Sequence, residues 1–235
     1  MTTPVLWGVG TFTTPEGAVA FPVSATDHAA DIAAAGRALD SLAIGAGDRV
    51  LVVGLVSECA HLVPFHEALR LRGAILSGAD ATPFDASRTA KLVAQLGVRA
   101  VLGIDGAVLD GWEIEGLDAG AVLAGVPIVG ARPDAVGRLR GAGLTPRVWA
   151  HVGPAVAVEC GPGTGAHVDE QEWEVDVEDG QVVVGVRATR ALDGGPFRTG
   201  LRAVIDRTPC ACGRADARLV GVGLIGTAVI GMEER

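Results

Sequence analysis

The sequence predicts an α/β fold in which a mostly parallel sheet with flanking helices is followed by a smaller C-terminal antiparallel β portion. Between residues 27 and 150, strand-like apolar segments alternate with stretches of helical periodicity, which is typical of a parallel sheet. Beyond Gly153 the helical periodicity stops, and short runs of alternating apolar and polar residues follow. We therefore divide the chain into residues 1–150 and 151–235. The two portions form one continuous globular unit, because no Ser- or Pro-rich linker separates them.

The βα portion begins with a helix that Asp27 can cap and that glycines 45 and 47 end. The run Arg49–Val53 is apolar after its first residue and predicts a buried strand. The pattern repeats along the chain. It predicts helices at Cys59–Arg72, at Ser87–Leu96 and from Pro133, and strands at Ala74–Leu76, at Arg99–Leu102 and at Val148.

The β portion is predicted from four alternating segments and one turn. Glu178–Gly180 separates two of these segments and is a strong hairpin signal. The Gly-rich stretch Leu219–Ile230 predicts one or two further strands. The four alternating segments are Ala155–Glu159, Trp173–Val177, Gln181–Val186 and Arg202–Ile205.

Composition excludes several classes of protein. The chain has 235 residues, of which 49% are hydrophobic and 20% charged, so it can bury a substantial core. A net charge of −9 argues against nucleic acid or an anionic membrane as a partner. The chain has no signal-peptide pattern, and no apolar run approaches the roughly 18 residues that a membrane span requires. We expect a cytoplasmic protein.

The cysteines indicate a metal site. Cys160 and His167 flank the loop CGPGTGAH, while Cys210 and Cys212 lie in the loop TPCACGR. Three thiolates and one imidazole are a ligand set for a closed, tetrahedral structural zinc site. A Cys-x-Cys pair is tighter than the usual ligand spacing, so free buried cysteines with a surface histidine remain the alternative. Cys59 stands alone and is predicted to be a core thiol.

Four stretches carry a family resemblance that covers nearly the whole chain. Three of them are GTFTTPEGAVAFPVSATD, PRVWAHVGPAVAVECGPGTGAHVDE and GPFRTGLRAVIDRTPCACGRADARLVGV, and the fourth is RVLVVGLVSECAHLVPFHEALRLRGAILSGAD. Together they resemble the phenylacetate-CoA ligase group of adenylate-forming acyl-CoA ligases. The resemblance implies part of the large N-terminal domain of such a ligase. It also implies zinc ligation at the four positions named above. Vestigial nucleotide-binding positions would be Thr11, Thr13, Thr14, Arg198 and Thr199.

The departures from the family pattern predict that ATP and magnesium are not used. Phe12 intrudes into the phosphate-loop stretch, and no Lys follows it. His151, Val152 or Gly153 stands where the family has its magnesium-binding Glu, and Leu201 stands at the ribose-binding Asp. The family also has a mobile lid domain with an essential Lys, whereas this chain ends at about the hinge and has Lys91 alone. Ordinary acyl-CoA ligase activity is therefore not expected.

The remaining features favour a small-molecule site. Phe65, Trp149 and Pro154 match positions near the acyl site of the family and are the candidate substrate-binding residues. His66 and His151 are the candidate acid–base residues, because an unperturbed histidine titrates near 6.5. The alternative for each histidine is a structural, hydrogen-bonded role.

Three functions follow from this sequence. The first is binding of an acyl or aryl carboxylate, its thioester or a biosynthetic intermediate, with cyclisation, dehydration or acyl transfer as repurposed chemistry. The second is a non-catalytic structural or regulatory subunit. The third is a residual adenylation half-reaction. A homodimer or a complementing partner protein could cover the face that the missing domains would leave bare.

Overall fold

A mixed sheet forms the centre of the protein, with helices packed on both of its faces. The computed structural model describes residues 5–14 and 16–225. The strands are β1 (Leu6–Thr14), β2 (Gly17–Ser24), β3 (Arg49–Val53), β4 (Ile75–Ala79), β5 (Ala100–Ile104), β6 (Ile128–Ala131), β7 (Arg147–Val152), β8 (Ala155–Glu159), β9 (Ala166–Val168), β10 (Trp173–Glu178), β11 (Gln181–Val186), β12 (Phe197–Arg198), β13 (Leu201–Asp206) and β14 (Arg218–Leu224). The helices are α1 (Ala25–Ser41), α2 (Cys59–Leu71), α3 (Ala86–Leu96), α4 (Gly106–Ile114), α5 (Ala119–Leu123) and α6 (Pro133–Gly141).

The large sheet has nine strands in the order β13-β14-β9-β8-β7-β6-β5-β3-β4. From β4 to β7 neighbouring strands are parallel, and from β7 to β13 they are antiparallel. A separate three-stranded antiparallel sheet contains β10, β11 and β12, and β1 pairs with β2. This architecture confirms the predicted fold class. Beyond β7 the large sheet continues through four antiparallel strands, from β8 to β13. Residue 150, at which the sequence analysis divided the chain, lies within β7.

Alternation along the strands of the parallel half sorts their side chains into two hydrophobic clusters. Val50 and Val52 pack in the cluster that includes α1 and α2 residues. Leu51 and Val53 pack in the other cluster, which contains buried residues of α3, α4 and α6. Successive side chains on a strand point to opposite faces, so both faces of this half are covered.

Helix α1 begins one turn earlier than the sequence suggested. Ser24 is its N-cap, and Asp27 is at the third helical position, where the two side chains form a capping box. The Asp27 backbone N–H donates to Ser24 Oγ at 3.1 Å, and the Ser24 N–H donates to Asp27 Oδ2 at 2.8 Å. Asp27 also accepts from the Ala191 N–H at 3.0 Å, which ties the helix to a distant loop.

Several elements were missed by the sequence analysis. Helices α4 and α5 and strand β6 had not been predicted, because each is short and their apolar residues lack clear periodicity. The predicted strand region Leu219–Ile230 corresponds to β14 as far as Leu224. Residues 226–230 lie outside the described residues.

The three-stranded sheet is anchored to α1 through Arg190. The Arg190 side chain is 3% exposed, and its guanidinium donates to Asp31 at 2.7 Å and to Glu172 at 3.0 Å. It also lies 4.3 Å from the ring centroid of Trp173, a cation–π contact. Burial raises the pKa of Asp31 to about 6, even though Arg190 favours the ionised form.

A β-bulge interrupts β5 just before its carboxyl end. The register with β6 shifts between Leu102 and Ile104, and Gly103 has a φ of 96°. A Cβ atom at Gly103 would lie 2.2 Å from the Val53 carbonyl oxygen, so only glycine fits here.

We expect Gly103→Ala to destabilise the protein by about 3 kcal/mol or more, because it combines left-handed strain with a backbone clash. For a chain of this length such a loss lowers the Tm by about 6–12 °C. The matched control is Gly137→Ala in α6, where a Cβ atom would meet nothing within 4 Å. It should stabilise the helix by about 0.5–1 kcal/mol. Equal melting temperatures for the two variants would contradict this account of the bulge.

Candidate functional site

An open cleft lies at the carboxyl edge of the parallel strands. Strand β4 is added on one side of β3, and the next strand, β5, is added on the other side. The strand order therefore reverses between β3 and β5, which makes this pair a topological switch point. Ligands of open α/β sheets bind at such a switch point. The cleft has a volume of about 570 Å³. We call it the histidine cleft; its polar lining includes Glu58, His61, Asp105, Arg132, Asp134 and His151.

Glu58 connects the polar groups of this cleft. One of its carboxylate oxygens, Oε2, accepts from the Leu55 N–H at 3.0 Å and from Arg132 Nη2 at 3.0 Å. The other oxygen, Oε1, lies 3.4 Å from His151 Nδ1. The carboxylate is therefore held between a guanidinium and an imidazole.

The rings of His61 and His151 stack with their centroids 4.1 Å apart and their planes at 15°. His61 comes from α2 and His151 from β7. His61 Nε2 lies 2.9 Å from the Gly153 carbonyl oxygen, which can only accept, so this nitrogen carries the proton.

Burial keeps both imidazoles neutral. It lowers the pKa of His61 to about 4. It also lowers the pKa of His151 well below its usual range, and the neighbouring His61 and Arg132 lower it further. At neutral pH each ring therefore has one N–H and one nitrogen lone pair.

Two more carboxylates face the cleft. Asp105 caps α4 by accepting from the Val108 N–H at 3.0 Å, and burial raises the pKa of Asp105. Asp134 accepts from the Gly106 N–H at 3.0 Å. Among the described lining residues, Arg132 is the sole cation facing three carboxylates. The lining is thus acidic where a phosphate-binding site would be basic.

The predicted nucleotide-binding residues separate into two groups. Thr11 and Thr13 line the histidine cleft, as does Thr199, whose hydroxyl donates to the Val182 carbonyl at 2.8 Å. Thr14 instead closes the β1–β2 turn by donating to the Gly17 carbonyl at 3.0 Å. Arg198 binds Gln181 and Asp179 beside the β10–β11 turn.

Phe12 and Leu201 line the same cleft. Phe12 is 7% exposed and packs against Phe21 and Phe197, with ring centroids 5.7 Å away in each case. Leu201 is 3% exposed. An aromatic ring and an aliphatic side chain therefore stand at the positions that the resemblance assigns to the phosphate loop and the ribose anchor.

The residues predicted to bind substrate lie behind the histidine cleft. Phe65 and Trp149 pack together with ring centroids 4.2 Å apart, and Trp149 is 1% exposed. Phe65 and Pro154 line a small cavity of about 40 Å³. His66 lies apart from His151, in a separate groove of about 260 Å³ with Cys59. Of the two predicted acid–base histidines, His151 is thus in the cleft and His66 is outside it.

The sequence analysis passed over Glu58, His61, Asp105 and Arg132. Asp105 and Arg132 directly follow strands β5 and β6, and Glu58 follows β3 after a short turn. Their position after predicted parallel strands was a usable signal for Glu58 and Asp105. Arg132 follows β6, which had not been predicted, so this signal was absent.

The four predicted metal ligands come together. The ligating atoms of Cys160, His167, Cys210 and Cys212 all lie within 4.8 Å of one another. The Sγ atoms of Cys160 and Cys210 are 3.5 Å apart, and Cys212 Sγ is 3.4 Å from His167 Nε2. Tetrahedral coordination at the usual metal–ligand distances requires separations of about 3.6–3.8 Å. The cluster could therefore hold a metal ion.

Neighbouring groups orient this cluster. His167 Nδ1 donates to the Asp216 carbonyl at 3.1 Å, which directs Nε2 towards the cysteines. Arg218 donates to the carbonyls of Thr164 at 2.7 Å and Thr208 at 3.2 Å, so it joins the two ligand loops. Burial raises the pKa of the Cys160 thiol to about 11. A bound cation would reverse that shift by favouring the thiolate.

No family model and no curated protein matches the chain. Solved structures match its fold. A 2-hydroxyisobutyryl-CoA ligase in complex with 2-HIB-AMP and CoA is similar at a TM-score of 0.70 and 16% identity, over 96% of this chain and 55% of that chain. The N-terminal subdomain of Klebsiella oxytoca NpsA with 3-hydroxyanthranilyl-AMSN has a TM-score of 0.58 and 15% identity, over 96% of this chain and 63% of that chain. Mycobacterium smegmatis MbtA has a TM-score of 0.57 and 14% identity, over 92% of this chain and 46% of that chain.

The fold is thus that of part of the N-terminal domain of adenylate-forming ligases. The chain spans about half the length of the first ligase. The finer resemblance to the phenylacetate-CoA ligase group stays a prediction. Within the described ranges, none of the helices is both long and apolar enough to cross a membrane.

We expect acid to destabilise the protein through His61. Below pH 6.5 the unfolded chain takes up a proton at this residue, whereas the folded protein does so only near pH 4. The contribution of His61 to the free energy of unfolding is therefore present above about pH 6.5. It falls by about 2 kcal/mol between pH 7 and pH 5. Urea unfolding of wild type and His61→Gln at both pH values measures the effect. The variant should lose about 2 kcal/mol less over that interval, and an equal loss would contradict the assignment.

Proposed function

We propose that this protein binds a small acyl or aryl molecule in the histidine cleft, as a carboxylate, a thioester or a biosynthetic intermediate, without ordinary ATP-dependent acyl-CoA formation. The observation that carries the proposal is the cleft itself. It lies at the switch point of a ligase fold and is lined by two neutral histidines. Similar solved structures contain an acyl adenylate or an aryl analogue of one.

The charges of the cleft argue against ATP. Phosphate sites rely on backbone N–H groups, lysine or arginine, and a metal-binding carboxylate in a polar setting. Here Arg132 is engaged by Glu58, and Asp105 and Asp134 add negative charge. Phe12 and Leu201 provide apolar surface at the same cleft, which favours an acyl or aryl group.

We expect aryl or acyl ligands to raise the Tm and ATP·Mg²⁺ to leave it unchanged. A thermal-shift screen would compare phenylacetate and benzoate, their CoA and N-acetylcysteamine thioesters, CoA and ATP·Mg²⁺, with titration calorimetry on each compound that responds. A ligand at 100 times its Kd stabilises by about 2.7 kcal/mol, which is about 5–11 °C for a chain of this length.

Leu201→Asp is the matched variant for this screen, since it places a carboxylate at the apolar edge of the cleft. It should weaken acyl and aryl binding at least about 10-fold while Cys59→Ser, outside the cleft, leaves binding unchanged. No response from any acid or thioester would refute the proposal. A response to ATP·Mg²⁺ would restore the adenylation half-reaction as the leading function.

A non-catalytic subunit is the second candidate, and one observation favours it. The contact between Phe65 and Trp149 fills the region predicted to be an acyl pocket and leaves a cavity of about 40 Å³ there. A scaffold needs no empty pocket at that point. Light scattering and pull-down experiments distinguish this function, since a monomer without a partner would contradict it.

We also propose that the cysteine–histidine cluster binds structural zinc. Three thiolates and one imidazole suit Zn²⁺, and ligation by all four leaves no open position for a substrate or water. The ion would link the loop after β8 to the loop before β14. Its role would be stability of the fold.

We expect one equivalent of zinc per chain and its loss in Cys210→Ser. Loss of a metal present at 100 times its Kd costs about 2.7 kcal/mol, so the Tm should fall by about 5–11 °C. Inductively coupled plasma mass spectrometry and thermal melting measure both effects. Cys59→Ser is the control, because this thiol lies in the separate groove. Unchanged metal content and melting in Cys210→Ser would refute the site.

A further inference from the structure

Strand β4 lies at one end of the nine-stranded sheet, so one of its two edges has no strand beside it. The N–H of Ile75 and the carbonyl of Ala79 form their hydrogen bonds on the β3 side. Because these directions alternate along a strand, Leu76 and Gly78 direct their backbone groups away from the sheet. The Gly78 carbonyl accepts from Arg88 Nη2 at 3.3 Å and retains a second lone pair. This edge can therefore pair with another strand.

The edge has none of the features by which edge strands usually avoid such pairing. The segment Ile75–Ala79 contains no proline and no charged residue, and its register with β3 is regular. Ile75 and Leu76 are 56% and 38% exposed, although both are aliphatic. An uncharged, regular edge with exposed aliphatic side chains favours association with a further strand.

The groove that holds His66 lies beside the same edge, between β4 and α2. Its volume is about 260 Å³, and apolar residues of β3, α2 and β4 line most of it. A Cβ atom at Gly78 would meet only the Val52 carbonyl oxygen, at 3.8 Å, so the groove is open above this glycine. Leu76 is on the same face of the strand, since its neighbour on β3, Val50, packs with α2. This face thus has a projecting leucine two residues from an apolar gap.

We propose that β4 pairs with β4 of a second copy of this chain, antiparallel and around a two-fold axis beside Ser77. In this register Leu76 of each copy lies opposite Gly78 of the partner subunit. Directly opposite residues of this kind exchange both of their N–H···O=C bonds, so the outward backbone groups of both strands are satisfied. Each Leu76 side chain enters the groove above Gly78 of the partner subunit. The pairing requires no ligand in the histidine cleft.

The fit of this face to itself identifies a second copy as the occupant. A two-fold interface uses the same patch on both subunits, so the patch must contain both halves of every contact. Strand β4 does so, because Leu76 supplies the projection and Gly78 the space that receives it. A shift by one residue would turn the bonded groups of Ser77 to the edge and the leucine away from the groove.

Charges at the two ends of β4 fit the same arrangement. Asp80 directly follows the strand, Arg70 precedes it near the end of α2, and both residues are exposed. Antiparallel pairing brings the end of one β4 to the beginning of the other, so Asp80 faces Arg70 of the partner subunit. Arg70 binds Glu67 of its own chain at 2.8 Å, and its guanidinium has further N–H groups for a second carboxylate. Opposite charges thus meet at both ends of the pairing.

The exposed apolar surface has the size that a dimer interface needs. Val56 beside the groove is 84% exposed, and Phe84 shortly after β4 is 96% exposed. Together with Ile75 and Leu76 they expose about 400–500 Å² of mostly apolar surface, since a single aromatic side chain covers about 150–250 Å². A standard interface buries about 800 Å² per partner, of which about 56–65% is apolar. The patch can therefore supply the apolar part of such an interface.

Light scattering coupled to size exclusion tests the pairing on the full chain. At about 50 μM the protein is above the micromolar Kd that is the weak limit for an interface of standard size. We expect the mass of two chains. The mass of one chain at this concentration overturns the proposal.

Two substitutions at the edge should dissociate the dimer and leave the chain folded. Gly78→Val fills the gap that receives Leu76 of the partner subunit, while in its own chain the new Cβ atom meets nothing closer than 3.8 Å. Leu76→Lys places a charge in the apolar groove. Each should raise the dimer Kd at least about 100-fold without lowering the Tm of the dilute protein. Val204→Lys is the matched control, because Val204 is 66% exposed on β13, at the opposite end of the same sheet.

Ser77→Cys tests the register. In the proposed pairing the two copies of residue 77 form a non-hydrogen-bonded pair with Cα atoms about 4.5 Å apart, which a disulfide can span. Oxidised glutathione should link the introduced thiols into a covalent dimer, and mass spectrometry identifies the linked peptide. Val204→Cys on β13 is the control and should not link.

Each of these outcomes decides the proposal. A dimer that persists in folded Gly78→Val and Leu76→Lys uses another surface and overturns it. Linkage of Ser77→Cys no greater than that of Val204→Cys also overturns it. Dissociation by both edge variants, together with selective linkage at residue 77, supports it.

Discussion

Strand β7 is the element on which the rest of this structure depends, because it pairs in two ways. It is parallel to β6 on one side and antiparallel to β8 on the other, so the two halves of the sheet are continuous through it. Its pleat also fixes the site. Trp149 belongs to the cluster beneath α1 and α2, while Val148 and Ala150 belong to the opposite cluster. His151 follows Trp149 by two residues and therefore meets His61 of α2.

Glu58 gives the cleft its electrostatic order. Its carboxylate accepts from Arg132 Nη2 at 3.0 Å and lies 3.4 Å from His151 Nδ1. Burial of the histidine pair and the positive charge of Arg132 both lower the pKa of each imidazole, which keeps the two rings uncharged. In the cysteine–histidine cluster, the Asp216 carbonyl accepts from His167 Nδ1 and so leaves Nε2 directed towards Cys212.

Local patterns predicted some parts of this arrangement and missed others for physical reasons. Arg49–Val53 and Gln181–Val186 matched their strands because both are short, rich in the β-branched residue valine and bounded by turn residues. The cluster of Cys160 with Cys210 was predictable because three thiolates and one imidazole in two loops form a recognisable zinc ligand set. His61 was passed over in favour of His66, since both lie on one helix and only packing decides which faces β7. Arg132 was missed because it follows β6, a strand of four residues that is too short for its pattern to be recognised in the sequence.

The cysteine–histidine cluster has a consequence for the topology of folding. Cys160 and Cys210 are separated by 50 residues, and β10, β11 and β12 all lie within that interval. A metal ion bridging these cysteines closes the interval into a ring, which reduces the conformational entropy of its chain before the strands pair. Residues of this small sheet and of the strands beyond the ring would then be separated by fewer links than along the open chain. Their contacts would close shorter loops, which lowers the entropic cost of forming them and favours faster folding.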